Sequence, residues 1–198
     1  MNGSFGVKRV CVFCGSNPGV RPEYVAAAQS LGQEFANHGI ETVYGGGRRG
    51  LMGAVADGAL QSGGRVLGIM PQALVDMEIA HQGLTKMHIV GSMHERKALM
   101  NSLSDAFVIL PGGWGTMDEL CEALTWSQLQ IHHKPIVVWN VAGYYDSFLA
   151  FANHTMQEGL LKPKDRDRLL VAKSLNEVMT AMETFTPTYD LIPEKVRD

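Results

Sequence analysis

Cysteine is scarce in this chain: Cys11, Cys14 and Cys121 are its only three, too few for the disulfide framework of a small secreted domain. Cys11 and Cys14 have C-x-x-C spacing but lie in Val10–Cys14, which reads as a strand, where residues three apart face opposite sides. They are expected to be separate buried thiols rather than a redox pair. No apolar run reaches the length of a membrane span, and residues 1–8 lack the apolar stretch of a signal peptide. A cytoplasmic protein without a membrane partner is therefore expected. Charge of one sign is also missing. The formal net charge is −3, with none of the basic excess that marks a nucleic-acid binder. No His, Cys or carboxylate cluster has metal-ligand spacing, and no G-x-S-x-G elbow occurs. The expected site therefore has no metal and no nucleophilic serine.

The chain is well supplied with the makings of a core. Of its 198 residues 45% are apolar and 19% charged, the balance of an ordinary globular domain large enough to fold unaided. Seven short β-branched runs read as strands: Arg9–Cys14, Glu41–Tyr44, Arg65–Ile69, Lys86–Val90, Ala106–Leu110, Pro135–Trp139 and Leu169–Val171. Helical patterns alternate with them at Pro22–His38, Leu51–Gln61, Met93–Leu103, Thr116–Ile131, Tyr144–Glu158 and Leu175–Thr184. Strands that are apolar on both faces and alternate with helices predict an α/β fold. The sheet is Rossmann-like, doubly wound and mainly parallel, with helices on both faces of a single domain. Residues 1–185 form that domain, and 186–198 read as a charged C-terminal tail, loose or packed on a partner. Ligands of such sheets bind beyond the carboxyl ends of the strands.

The glycines, 22 in all, gather in the loops at those ends. Pro111-Gly112-Gly113-Trp114-Gly115-Thr116-Met117-Asp118-Glu119 follows one strand and opens a helix. Glycines let backbone amides close around an anion, and the helix N-terminus adds about half a positive charge. The competing account is a Gly-rich turn with Thr116 and Glu119 as a capping box; it does not explain three glycines. Gly45-Gly46-Gly47-Arg48-Arg49-Gly50 matches G-x-G-x-x-G. However, it follows the second strand and is not followed by the acidic residue that holds a dinucleotide ribose, so NAD is disfavoured. Whether Arg48 and Arg49 serve an anion or face water is open. In Ser92-Met93-His94-Glu95-Arg96-Lys97, a capping box is followed by two cations in the first helical turn. They oppose the dipole there unless an anion or carboxylate meets them. His132 and His133 sit at a helix end, where a cation is favoured. Asp118 and Glu122 flank Glu119 and suit acid–base work or ribose binding as well as they suit the dipole.

At these residues the chain resembles the Lonely Guy proteins, cytokinin riboside 5′-monophosphate phosphoribohydrolases often labelled lysine decarboxylases. Pro111–Glu119 is similar to their P-G-G-x-G-T-x-x-E signature, and Cys14–Ser16, Tyr44–Gly53 and Met93–Lys97 extend the likeness. The resemblance implies an N-glycosidase that cleaves adenosine 5′-monophosphate, including N6-modified forms, to base and ribose 5-phosphate without a cofactor. It implies a catalytic pair, Glu119 and Arg96, and substrate or phosphate contacts from Ser16, Gly45, Gly46, Gly47, Met93, Lys97, Gly112, Gly113, Trp114, Gly115 and Thr116, with Glu122 as an additional candidate. It also implies a homodimer or larger homo-oligomer. Where family members often carry Glu, this chain has Asp118. A decarboxylase would need pyridoxal phosphate on a Schiff-base lysine, and nothing marks Lys8, Lys86, Lys97, Lys134 or Lys162 as that lysine. Two other readings stay open: a broader purine and pyrimidine monophosphate nucleosidase, and a non-catalytic nucleotide-binding module.

Overall fold

A computed structural model describes residues 6–77 and 80–187. Seven strands form one sheet: β1 (Arg9–Phe13), β2 (Glu41–Tyr44), β3 (Val66–Pro71), β4 (Lys86–Val90), β5 (Ala106–Ile109), β6 (Ile136–Trp139) and β7 (Leu169–Ala172). Their order is β4-β3-β2-β1-β5-β6-β7, and every pairing is parallel. The helices are α1 (Pro22–Asn37), α2 (Gly50–Gln61), α3 (Gln72–Val75), α4 (Met93–Leu103), α5 (Trp114–Gln128), α6 (Asp146–Gln157), α7 (Pro163–Arg166) and α8 (Leu175–Glu183). The expected Rossmann-like, doubly wound α/β domain is what forms, with an entirely parallel sheet.

Two cores sandwich that sheet. Val10, Val12 and Cys14 pack with Leu31 of α1, Val55 of α2 and Val178 of α8. Cys11 and Phe13 face the other way, against Met100 of α4, Leu120 and Ala123 of α5 and Tyr145. The two cysteines of the C-x-x-C thus fall in separate cores, as the strand period requires. Burial pushes both thiols up from their ordinary value, so they are inert neutral groups.

Several boundaries differ from the sequence reading. α5 begins at Trp114, capped by Gly113, so Thr116 is inside the helix and the Thr116–Glu119 capping box does not form. The same helix stops at Gln128 rather than Ile131 because the chain turns through Gln130, at φ 58°. The Ser92 box does form, since the Ser92 hydroxyl accepts from the Glu95 amide at 3.1 Å. His132 is not a helix-end cation. Burial is the main force that drops its pKa to about 4, and its Nε2 lies 3.1 Å from the Ala123 carbonyl. The short helices α3 and α7 have no counterpart in the sequence pattern. The expected tail at 186–198 lies outside the described residues beyond Pro187.

Chain order reverses between β1 and β5, each of which starts a run toward opposite edges of the sheet. The loops that leave these two strands must diverge, which opens a crevice at their carboxyl ends. One bond ties the crevice together: the Gly15 amide donates to the Pro111 carbonyl at 2.9 Å.

Candidate active site

A cavity of about 350 Å³ occupies that crevice, within the range of small-molecule sites. Its walls come from the β1 loop (Cys14–Gly19), the first turn of α2 (Leu51, Met52), the segment Pro111–Thr116, and the side chains of Tyr24, Arg96, Glu119 and Tyr144. The first amides of α5 have no preceding turn to accept from them, and the residues that carry them, Trp114, Gly115 and Thr116, line the cavity. The first intrahelical bond there runs from the Met117 amide to the Gly113 carbonyl.

The three glycines of this segment do different work. A side chain at Gly112 would run into the Thr116 hydroxyl and crowd the Gly15 backbone, so the protein's own packing requires glycine. A Cβ at Gly113 or Gly115 would meet nothing within 4 Å. Neither residue has positive φ, and Gly115 lies in a helix that alanine would favour by about 1 kcal/mol. Nothing in the folded chain demands glycine at 113 or 115, and both border the cavity.

Glu119 lies one turn into the helix beyond them, with a side chain 11% exposed. Burial pushes its carboxyl up to about 7. Arg96 opposes that rise, Asp118 adds to it, Lys97 opposes it and Glu122 adds to it. The Arg96 Nη1 stands 3.7 Å from Glu119 Oε1. Arg96 itself is locked in place. Its Nε donates to the Ile69 carbonyl at 3.1 Å and its Nη2 to the Gly45 carbonyl at 3.3 Å, and its Nη1 also lies 3.9 Å from the Met93 sulfur. A buried guanidinium held by backbone oxygens cannot swing away from the carboxylate it faces.

Of the residues expected at the site, Ser16, Arg96, Gly112, Gly113, Trp114, Gly115, Thr116 and Glu119 line the cavity. Gly45, Gly46, Gly47, Met93, Lys97 and Glu122 do not. Gly45, Gly46 and Gly47 are buried and packed by the protein itself: Arg96 fills the space beside Gly45, Met87 that beside Gly46 and Met52 that beside Gly47. Lys97 Nζ is held 3.0 Å from Asp118 and 2.9 Å from Glu122, so it joins α4 to α5. The two cations in the first turn of α4 are therefore met by carboxylates of α5 and by strand-end carbonyls, as their unfavourable place on the dipole demanded. Arg48 and Arg49 are exposed and off the cavity. Sequence reasoning passes over Tyr24 and Tyr144. Tyr144 could be found from its place just past the carboxyl end of β6; nothing local marks Tyr24.

Proteins of known name resemble this chain over most of its length. A probable cytokinin riboside 5′-monophosphate phosphoribohydrolase of Oryza sativa subsp. japonica is 46% identical over 91% of this chain and 73% of its own length. A cytokinin riboside 5′-monophosphate phosphoribohydrolase of Arabidopsis thaliana is 43% identical over 96% of this chain and 87% of its own. A family model described as "Possible lysine decarboxylase" matches residues 52–182. The chain belongs to the Lonely Guy family. The molybdenum cofactor carrier protein of Chlamydomonas reinhardtii shares the fold of this Lonely Guy protein, with a TM-score of 0.66 at 22% identity over 87% of this chain and 94% of that one.

The decarboxylase description of the model does not fit the site. Pyridoxal phosphate needs a lysine within reach to form its Schiff base. Among the described residues no lysine lines the cavity; Lys97 is held by two carboxylates and Lys134 by the backbone and side chain of Asn101. Among the described residues no group of three His, Cys, Asp or Glu side chains is arranged to hold a metal ion, and no helix is long and apolar enough to cross a membrane.

Proposed function

We propose that this protein hydrolyses the N-glycosidic bond of adenosine 5′-monophosphates carrying a cytokinin-type N6 substituent, releasing free base and ribose 5-phosphate. One observation carries the reading. A cavity-lining helix N-terminus has two glycines that the fold does not need, and a buried carboxylate stands one turn behind them. The glycines leave room for a phosphoester to approach the amides of α5, and Glu119 then faces the sugar. Relatives at 43–46% identity over most of the chain bear the name of this activity.

Glycoside cleavage builds positive charge on the ribose carbon as its bond to the base nitrogen breaks. Ionised Glu119 stabilises that charge and takes a proton from the water whose oxygen bonds to the carbon; the departing base takes a proton at its nitrogen from solvent water, and the proton on Glu119 returns to solvent to close the cycle. Arg96 fixes the orientation of the carboxylate and offsets part of the cost of ionising it in a buried site. Held phosphate turns binding energy into alignment at the reacting carbon. Ser16 and Trp114 border the substrate from opposite sides of the crevice. On this mechanism kcat/KM rises with pH through about 7, the value to which burial pushes Glu119, because the carboxylate form is the active one.

The test is incubation with AMP and with N6-isopentenyl AMP, followed by chromatography for free base. Release from the N6-modified nucleotide supports the reading, comparable release from both substrates points to a broader nucleosidase, and release from neither overturns the enzymatic reading. A homodimer or larger oligomer and a cytoplasmic setting belong to the same reading. Light scattering on the purified protein and cell fractionation check them.

A further inference from the structure

The segment Leu110–Gly112 offers three successive carbonyls, and each is taken by a donor, two from the turn after β6 and one from the loop after β1. Tyr145 Oη donates to the Leu110 carbonyl at 2.7 Å, the Gly15 amide to the Pro111 carbonyl at 2.9 Å, and Tyr144 Oη to the Gly112 carbonyl at 2.6 Å. In a trans peptide the carbonyl and the following N–H point in opposite directions. Holding the Gly112 carbonyl therefore fixes the direction of the Gly113 N–H. Of the three anchors, the one from Tyr144 acts on the residue that begins the cradle.

Tyr144 is placed for this by a turn built at some cost. Between β6 and α6 the backbone passes through the left-handed region at Ala142, φ 49°, and Gly143, φ 74°; alanine adopts such a conformation only under strain. Asn140 stabilises it from both sides, accepting from the Tyr145 amide at 2.7 Å and donating to Asp146 Oδ1 at 2.7 Å. The Arg21 guanidinium donates to the Ala142 carbonyl at 3.3 Å. The Tyr144 ring then stands edge-on to Tyr24, at 5.5 Å between centroids, and to Tyr145, at 5.0 Å. The phenol has one proton and spends it on Gly112, so toward an anion it presents only lone pairs. Its place beside the cavity is not that of a direct phosphate donor.

We propose that Tyr144 is a positioning residue for the substrate's 5′-phosphate, acting through the Gly112 carbonyl to aim the Gly113 amide at the phosphate oxygens. This rests on the phosphoribohydrolase reading above and adds to it how the cradle is set before substrate arrives. The contribution is specific to the phosphate. It should be felt by any ligand that carries one and by none that lacks it.

Tyr144→Phe keeps the ring contacts and removes only the hydroxyl. Calorimetric titration of wild type and variant with AMP, ribose 5-phosphate and adenosine, together with steady-state kinetics on the nucleotide, tests the inference. The expected result is about a 3- to 10-fold loss of affinity for AMP and for ribose 5-phosphate, the worth of one hydrogen bond. KM rises to match, kcat stays within about twofold and adenosine affinity does not change. Equal weakening toward adenosine would make Tyr144 a base or ribose contact and overturn the inference. So would unchanged ribose 5-phosphate affinity in a variant whose wild type binds it. A wild type that binds neither phosphate-bearing ligand removes the functional reading itself, a different failure visible before any variant is made.

Discussion

Two glycine-rich loops leave the two strands that flank β1 in this sheet and end up with opposite duties. Gly45–Gly50 leaves β2 and turns inward. Its first three glycines are buried because Arg96, Met87 and Met52 occupy the space their side chains would need. Gly112–Gly115 leaves β5 at the switch point and stays open, with Gly113 and Gly115 touching nothing that a side chain would displace. Glycine at the first loop lets one part of the protein approach another, whereas glycine at the second leaves room for something that is not protein. The two loops still serve one centre. The first holds the guanidinium through the Gly45 carbonyl, the second starts the helix that carries Glu119, and the pair meets at 3.7 Å.

The largest expected effect lies where the loops meet. Glu119→Gln should lower turnover by about 10³-fold while leaving nucleotide affinity within about twofold; retained turnover in a base-release assay would remove the carboxylate from the chemistry. The same variant also reads the energetic burden of that site. Because the folded Glu119 value, about 7, lies above its ordinary 4.5, the native state holds a proton that the unfolded chain releases in this range. The stabilising effect is complete below about pH 4.5 and is lost as pH rises through 7. Wild type should therefore weaken relative to Glu119→Gln across this window by about 2–3 kcal/mol. Thermal melts of the two proteins at pH 5 and pH 8 measure it; a constant difference would mean the carboxyl titrates normally.

Next come the two loops themselves, which should fail in different ways. Gly45→Ala pushes a methyl into the Arg96 guanidinium, and such overpacking costs about 1–3 kcal/mol. A melting temperature lower by about 3–10 °C is expected, along with reduced turnover because Arg96 shifts. Gly113→Ala, the smallest effect, should lower the melting temperature by only about 1–3 °C, the worth of an alanine at a helix N-cap, and weaken nucleotide affinity about tenfold, as the added methyl stands where phosphate would approach. If Gly45→Ala spared stability, or Gly113→Ala spared binding, the contrast between a filled loop and an open one would collapse.

Much of this was legible in the residues. The β-branched runs and helical spacings predict every strand and the long helices to within a few residues. The alternation predicts a parallel, two-faced sheet because a parallel crossover needs a helix and both faces must then be covered. Pro111–Glu119 stands out as a candidate phosphate loop because its glycines lead straight into a helix N-terminus, where backbone amides lack partners. Glu119 and Arg96 are named from the family resemblance, at the signature and at Met93–Lys97, and the structure brings both to the cavity. What stayed hidden is what depends on distance in space. The Gly45 pattern looks the same on paper whether its glycines border a ligand or accommodate Arg96, a residue 51 positions away. Lys97 looks like an anion ligand until α5 brings Asp118 and Glu122 to it.

The sequence by itself determined the class of fold, the place of the site at the strand ends and the chemical kind of its residues, because periodicity, turn chemistry and helix ends are local properties. Tertiary structure alone decided which glycines are free, which cations are already paired and how strongly Glu119 holds its proton. Those depend on burial and on neighbours supplied by distant segments, and no stretch of chain contains its own surroundings.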